Sequence, residues 1–130
     1  MSESKLQEYI DIIEQLDSDE VYEYILEIGQ QAMADQIDRS PTYFVHGCQS
    51  AVWVNGKDEP TGWEFIMDSD SFMVRGVGTI ICKCLSGLTA DELTQVNFYD
   101  FRELSAFFST QRRQGMQSII NKIKSISKGN

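Results

Sequence analysis

Between Asp70 and Leu85 the chain carries Phe72, Met73, Val74, Val77, Ile80, Ile81, Cys82 and Leu85, with Arg75 and Lys83 as the only charges inside the run. The spacing predicts a helix that begins at Asp70 or Ser71 and runs to about Leu85. A helix apolar on nearly every side has no face to give to water, so the rest of the chain must surround it. Gly76 and Gly78 lower its helix propensity, which points to close approach of a neighbouring backbone. Ser86-Gly87 ends it with the residue type that tolerates the left-handed C-terminal turn. In a chain of 130 residues, about two thirds of the unfolded surface is buried on folding. One core of that size suffices, and residues 1–130 read as a single domain.

The covering elements are legible on both sides. Leu6, Tyr9, Ile10, Ile13 and Leu16 recur at helical spacing, predicting an amphipathic helix over 4–16. Asp17 and Glu20 have the spacing of a capping box before Val21, Tyr24, Ile25 and Ile28. Residues 31–41 lose the helical period, and Ser40-Pro41 closes that connection. Tyr43-Phe44-Val45, Ser50–Val54 and the alternating Trp63, Phe65 and Met67 predict three antiparallel strands. His46-Gly47-Cys48-Gln49 would turn between the first two. Asn55-Gly56 and Pro60-Thr61-Gly62 would bound the next turn. Thr89 and Glu92 form a second capping-box pair. Short helices follow over about 89–95 and 100–108, and a last helix runs from Ser109 or Thr110 to about Ile126. The expected fold is α+β, a curved three-stranded antiparallel sheet packed against helices.

No apolar run reaches the roughly 20 residues of a membrane helix. Met1-Ser2-Glu3-Ser4-Lys5 lacks a signal pattern, which predicts a cytoplasmic protein. Three cysteines, Cys48, Cys82 and Cys84, are then expected as reduced thiols. The net charge of -9 opposes non-specific nucleic-acid binding. Residues 101–130 hold six Lys or Arg against one acid, Glu103, so the tail is +5 and residues 1–100 sum to -14. Either this is a solvated basic helix face, or it orients a protein partner.

The cysteines divide by context. Cys82 and Cys84 form a C-x-C pair, but residues two apart stand about 200° apart around a helix. Zinc would also need two more ligands, so both read as packing residues and no metal site is expected. Cys48 sits on a glycine-containing turn outside any core pattern, where a thiol can meet another protein's sulfur. His46, two residues away, is a candidate base, although a turn breaks the alternation that would put both side chains on one face. Arg112 and Arg113 are candidates for stabilising a thiolate, with nothing in the sequence to place them beside Cys48. Asp68-Ser69-Asp70 reads either as paired carboxylates or as a strand end followed by a helix cap.

Gly47-Cys48-Gln49-Ser50, followed by Val52-Trp53, resembles the G-C-Q-S-x-V-W loop of the SufE family. The resemblance extends over nearly the whole chain. Tyr22 to Gly29 is similar to the family's Y-x-Y-L-I-E-L-G segment, Asp38-Arg39-Ser40-Pro41 precedes the loop, and Asp68-Ser69-Asp70 with Val74-Arg75-Gly76 matches D-S-D-A-x-I-V-K-G. Arg112, Gln114 and Gly115 match R-x-Q/N-G. Phe108-Ser109-Thr110-Gln111-Arg112 departs from the pattern in lacking its proline, and the stretch from Phe98 to Arg112 is shorter. The resemblance implies a fold like that of the IscU scaffold, with the cysteine loop over an apolar cavity. It also implies that Cys48 accepts persulfide sulfur from a SufS-type or CsdA-type cysteine desulfurase, stimulates it and passes sulfur to a SufBCD-type scaffold for iron–sulfur cluster assembly. Gly47, Gln49, Arg112, Asp70 and His46 would support Cys48, and Val45, Val52, Trp53 or nearby apolar side chains would shelter it. No cofactor is required on this side. The chain would act as a covalent sulfur carrier, SufE-like or CsdE-like, rather than as a stand-alone enzyme. A non-catalytic regulatory module of a desulfurase and a cysteine-nucleophile hydrolase are the alternatives.

Overall fold

A computed structural model describes residues 3–32 and 36–129. Two helices open the chain: α1, Glu3–Glu14, and α2, Ser18–Gln31. Two antiparallel strands follow, β1, Val52–Glu59, and β2, Gly62–Ser69. Helix α3, Phe72–Leu85, then leads through α4, Ala90–Thr94, and α5, Arg102–Ser105, to the C-terminal α6, Thr110–Ser127.

Helix α3 is central, as its composition demands. Its residues Met73, Gly76, Val77, Gly78, Ile80, Ile81, Cys82, Cys84 and Leu85 are all buried. It packs most extensively on α2 and on β2, with α1 and α6 covering its remaining sides. The approach to α2 is backbone to backbone. A Cβ on Gly76 would collide with the Ile25 carbonyl, and one on Gly29 with the Phe72 carbonyl. Gly78 leaves room for the Met67 side chain from β2. The glycines that weaken α3 locally are therefore the condition for its burial.

The termini of these helices follow local chemistry. Asp17 accepts from Glu20 N, and the Glu20 carboxylate accepts from Asp17 N, closing the capping box. Thr89 and Glu92 do the same for α4. Ser71 caps α3 through Val74 N, and Ser109 caps α6 through Arg112 N. Asp70 is not the cap of α3, so the reading of Asp68-Ser69-Asp70 as a cap moves by one residue to Ser71. The first helix ends at Glu14, two residues earlier than its apolar period. Leu16 is carried instead by a turn in which its N–H donates to the Ile13 carbonyl. The irregular connection predicted over 31–41 begins where α2 ends, at Gln31; residues 33–35 of it, like Met1 and Ser2 of the leading segment, lie outside the described residues.

The sheet has two strands, not the expected three. Pro41 starts a single 3-10 turn, Pro41–Tyr43, that takes the first residue of the segment predicted as a strand. What remains is one bridge, Phe44 to Trp53, and the Val45 N–H donating to the Val52 carbonyl at 2.8 Å. Asn55-Gly56 also differs from expectation. Both lie inside β1, paired with Ile66 and Phe65, and the hairpin turns at Pro60-Thr61 between Glu59 and Gly62. Tertiary contacts override the turn preference here. The Asn55 amide accepts from Asp38 N and donates to the Asp38 carbonyl, a side-chain bridge that ties the incoming connection to β1.

Beyond this bridge, one ion cluster joins three segments. Arg39 donates from Nε to Asp68 Oδ2 at 3.0 Å. Arg75 Nε stands 3.3 Å from Asp68 Oδ1, while its terminal nitrogens donate to the Ser69 and Ala32 carbonyls. The end of β2, the start of α3 and the connection before the cysteine loop are thereby fixed to one another.

Two expected outcomes test this packing. Gly76→Ala destabilises the fold by about 1–3 kcal/mol in urea titration, the range for an overpacked interior, because the obstacle is backbone. Cys82 and Cys84 have pKa values pushed up by burial, to about 12 and about 11. The unfolded thiols ionise first as pH rises, so the stability these groups contribute is full below the unfolded pKa and is lost above it. Urea midpoints therefore fall from about pH 9 upward, and replacing both cysteines by alanine flattens that slope.

Candidate functional site

Cys48 sits on a loop that the chain pins at both ends. On one side the Val45–Val52 hydrogen bond and the Phe44–Trp53 bridge close it. On the other, Ala51 N donates to Asp70 Oδ1 at 3.1 Å, and Asp70 N donates to the Ala51 carbonyl at 3.3 Å. Asp70 is thus a loop clamp. Gly47 turns the loop with φ of +97°, a region that residues with a Cβ rarely adopt. A Cβ there would also come within 2.5 Å of Ser118 Oγ on α6, so the loop lies directly against that helix.

The thiol is half-buried and faces inward. Cys48 Sγ donates weakly to the Gly115 carbonyl at 3.6 Å, across 67 residues of sequence. It opens on a cavity of about 310 Å³ between α3 and α6. Val74, Val77, Met116 and Ile119 form the apolar walls, and Gln49, Ser71, Gln111 and Arg112 supply polar ones. Of the expected shelter, Val45, Val52 and Trp53 do not line this space, and other apolar side chains do. Val45 and Val52 belong to the core, and the walls come from α3 and α6, far away in sequence.

Burial raises the Cys48 pKa above the ordinary cysteine value, with desolvation as the cause. The resting group is a neutral thiol, which is a poor nucleophile. His46 does not correct this. Its ring is exposed and packs edge-on against Phe44 at 5.0 Å, and it does not line the cavity. Among the described residues no carboxylate, imidazole or amine lines the cavity either. Among the described residues no group of three or more His, Cys, Asp or Glu side chains could hold a metal ion.

The two candidate arginines part company. Arg113 turns away and donates from Nε to the Ser105 carbonyl at 3.0 Å. Arg112 is exposed, lines the cavity with Cys48, and its guanidinium has no hydrogen bond or ion pair among the described residues. The rest of the basic tail is largely committed internally. Arg102 lies over the Tyr99 ring at 4.2 Å, Lys122 Nζ donates to the Thr42 carbonyl, and Lys124 Nζ donates to the Val96 carbonyl. Arg112 is therefore the tail's uncommitted charge at the cysteine site.

Of the residues named from the sequence, the structure gathers Cys48, Gly47, Gln49, Asp70 and Arg112 around one loop and one cavity. It leaves His46 on the outer surface. Gly115 belongs to the R-x-Q/N-G match and the resemblance implied an apolar cavity, but the contact of Gly115 with the sulfur, the support from Ser118 and the identity of the walls had no local signal. One indication was available for Gly115: a glycine inside an otherwise regular helix costs roughly 0.5–1 kcal/mol relative to alanine and calls for a reason.

Comparison with known proteins shows the family and the fold. A family model, SufE: Fe-S metabolism associated domain, matches residues 7–127. An uncharacterized SufE-like protein of Rhizobium meliloti (strain 1021) is 32% identical over 116 residues, covering 83% of this chain and 83% of that protein. The solution structure of a hypothetical protein from Thermus thermophilus shares the fold, with a TM-score of 0.76 at 16% identity over 96% of this chain and 94% of that one. Among the described residues no helix is long and apolar enough to cross a membrane. With a family match over nearly its whole length and a family-type cysteine loop closed over a cavity, this chain belongs to the SufE family.

Proposed function

We propose that this protein is a cytoplasmic sulfur acceptor in iron–sulfur metabolism. Cys48 takes a sulfur from the persulfide of a SufS-type or CsdA-type cysteine desulfurase. Docking accelerates that enzyme, and the sulfur passes on to a SufBCD-type scaffold. Membership of the SufE family supports the general role. The observation that carries the reading is a half-buried thiol at a cavity that contains no base. Such a thiol is inert alone and becomes a nucleophile when a partner opens the loop and supplies the proton acceptor. A stand-alone hydrolase would need its own base and has none beside the sulfur.

The transfer is thiol exchange in form. The Cys48 thiolate attacks the outer sulfur of the donor persulfide, a new S–S bond forms, the donor's S–S bond breaks, and the donor cysteine leaves as thiolate. The transferred sulfur keeps its oxidation level, so no external electron donor is involved. The thiol proton passes to the donor's site or to water. Arg112 stands where a guanidinium would meet an acidic or thiolate-bearing partner surface.

Cys48→Ser removes the nucleophile and keeps the volume. Incubation with desulfurase and cysteine, followed by peptide mass mapping, gives an adduct of about 32 Da on Cys48 of the wild type and none on the variant. An adduct on Cys82 or Cys84 instead sinks the assignment. The same variant separates carrier from regulator, since a purely regulatory module stimulates the desulfurase equally well with serine. Arg112→Ala raises the acceptor concentration needed for half-maximal stimulation by about fivefold or more, the loss typical of an interface arginine. Added salt narrows the gap to wild type, because screening weakens the charge that only the wild type retains.

A further inference from the structure

The cavity beside Cys48 is larger and more polar than a resting thiol requires. Its volume of about 310 Å³ reaches the lower end of small-molecule sites, about 300–1,000 Å³. Val77, Met116 and Ile119, all buried, form its floor, while Gln49, Gln111 and Arg112 stand exposed at its mouth. Among the described residues the Gln49 and Gln111 amides and the Arg112 guanidinium have no hydrogen-bond partner, and no carboxylate lines the space. Asp70, which clamps the loop, accepts from Ala51 N and stays outside the lining. Ser71 and Ser109, the N-caps of α3 and α6, both line the cavity, so both helices start at it. Neither helix has an acid in its first turn, whereas α2 and α4 do. One free guanidinium and two positive helix ends thus adjoin the thiol, with no negative side chain among the described residues of the lining to balance them.

We propose that this cavity receives a short thiol carboxylate, of about cysteine's size, which takes the sulfur from a loaded Cys48. The inference rests on the reading of Cys48 as a persulfide carrier and adds a small-molecule outlet to transfer onto a protein scaffold. The carboxylate pairs with the Arg112 guanidinium, whose planar fork matches it. The thiol end then lies over the apolar floor, beside the Cys48 sulfur. A cavity without a base suits this ligand, because a free thiol is a few per cent ionised in neutral water and brings its own thiolate. The same positive surface meets both charges of the incoming molecule. Its thiolate attacks the outer sulfur of the Cys48 persulfide, a new S–S bond forms, the Cys48 S–S bond breaks, and Cys48 leaves as thiolate. The outer sulfur keeps its proton, Cys48 recovers one from water, and the small molecule departs as a persulfide. The sulfur keeps its oxidation level throughout, so no oxidant or reductant is consumed.

The test loads Cys48 with sodium tetrasulfide, without any desulfurase. The Cys48 thiolate takes one sulfane sulfur, and trisulfide leaves. After removal of the reagent, the loaded protein meets either mercaptopropionate or mercaptoethanol, and loss of the Cys48 persulfide is followed. For each protein the first rate is divided by the second. The intrinsic reactivities of the two thiols are common to all proteins, and loosening of the loop affects both, so a change in the ratio reports recognition of the carboxylate. Arg112→Ala lowers the ratio about tenfold, the equivalent of one charge-assisted hydrogen bond. Arg102→Ala removes a cation held over Tyr99, outside the lining, and leaves the ratio at the wild-type value. Equal ratios for wild type and Arg112→Ala overturn the inference. So does an equal fall with Arg102→Ala, because the field of the whole protein would then be the cause. On the unloaded protein, methylthiopropionate, which cannot accept sulfur, slows alkylation of Cys48 by iodoacetamide in the wild type and not in Arg112→Ala. Absence of that protection in the wild type overturns the site as well. Since loading is chemical, failure of Cys48 to accept sulfur from a desulfurase overturns the proposed function and leaves this result standing.

Discussion

Everything in this molecule is arranged around the burial of α3. A helix without a polar face needs cover from every direction, and 130 residues supply it only through close contacts. The closest are the paired glycines, Gly29 against Phe72 and Gly76 against Ile25, where two helix backbones meet without side chains between them. That contact fixes α2 on α3, and the Arg39–Asp68–Arg75 cluster then fixes the start of α3 to the end of β2. Helix α6 closes the opposite side. The cysteine loop spans the seam between α3 and α6, so its cavity is the place where α6 fails to cover α3 completely.

The helices are legible in the sequence because their signals are local. Capping boxes at Asp17/Glu20 and Thr89/Glu92 need only four residues, and the apolar run of α3 identifies its own burial. The third expected strand does not form, although Tyr43-Phe44-Val45 has strand composition, because Pro41 two residues earlier favours the 3-10 turn. Asn55-Gly56 misleads for the complementary reason. Its turn preference yields to Asp38, which bonds the Asn55 amide from another segment. The candidate site divides in the same way. Cys48 and its glycine are one motif, while Gly115, Ser118 and the apolar walls reach the sulfur only through the fold.

The resting site is protective rather than reactive. Desolvation holds Cys48 as a thiol, its hydrogen points at a backbone carbonyl, and among the described residues no side chain in the cavity can take the proton. These are poor conditions for catalysis and good ones for carriage, because both oxidation and adventitious alkylation proceed through the thiolate. The closure is also weak enough to reverse. One backbone hydrogen bond and one strand bridge hold one end, Asp70 clamps the other, and the sulfur contributes a single long contact. A partner that competes for these few groups can free the loop while the core stays closed.

The charge asymmetry of the chain takes a sharper form in this setting. A tail of +5 on a body of -14 suggests a broad electrostatic face. The structure spends most of that tail on its own carbonyls and on one aromatic ring. Lysines and arginines used in this way position α6 and no longer present a free field to a partner. Arg112 is the exception that matters, because it stands one turn before Gly115 on the cavity wall. Helix periodicity thus places Arg112 and Gly115 on the same face, with the thiol beside them. One helix therefore supplies both the exposed charge at the cavity and the carbonyl that holds the resting thiol.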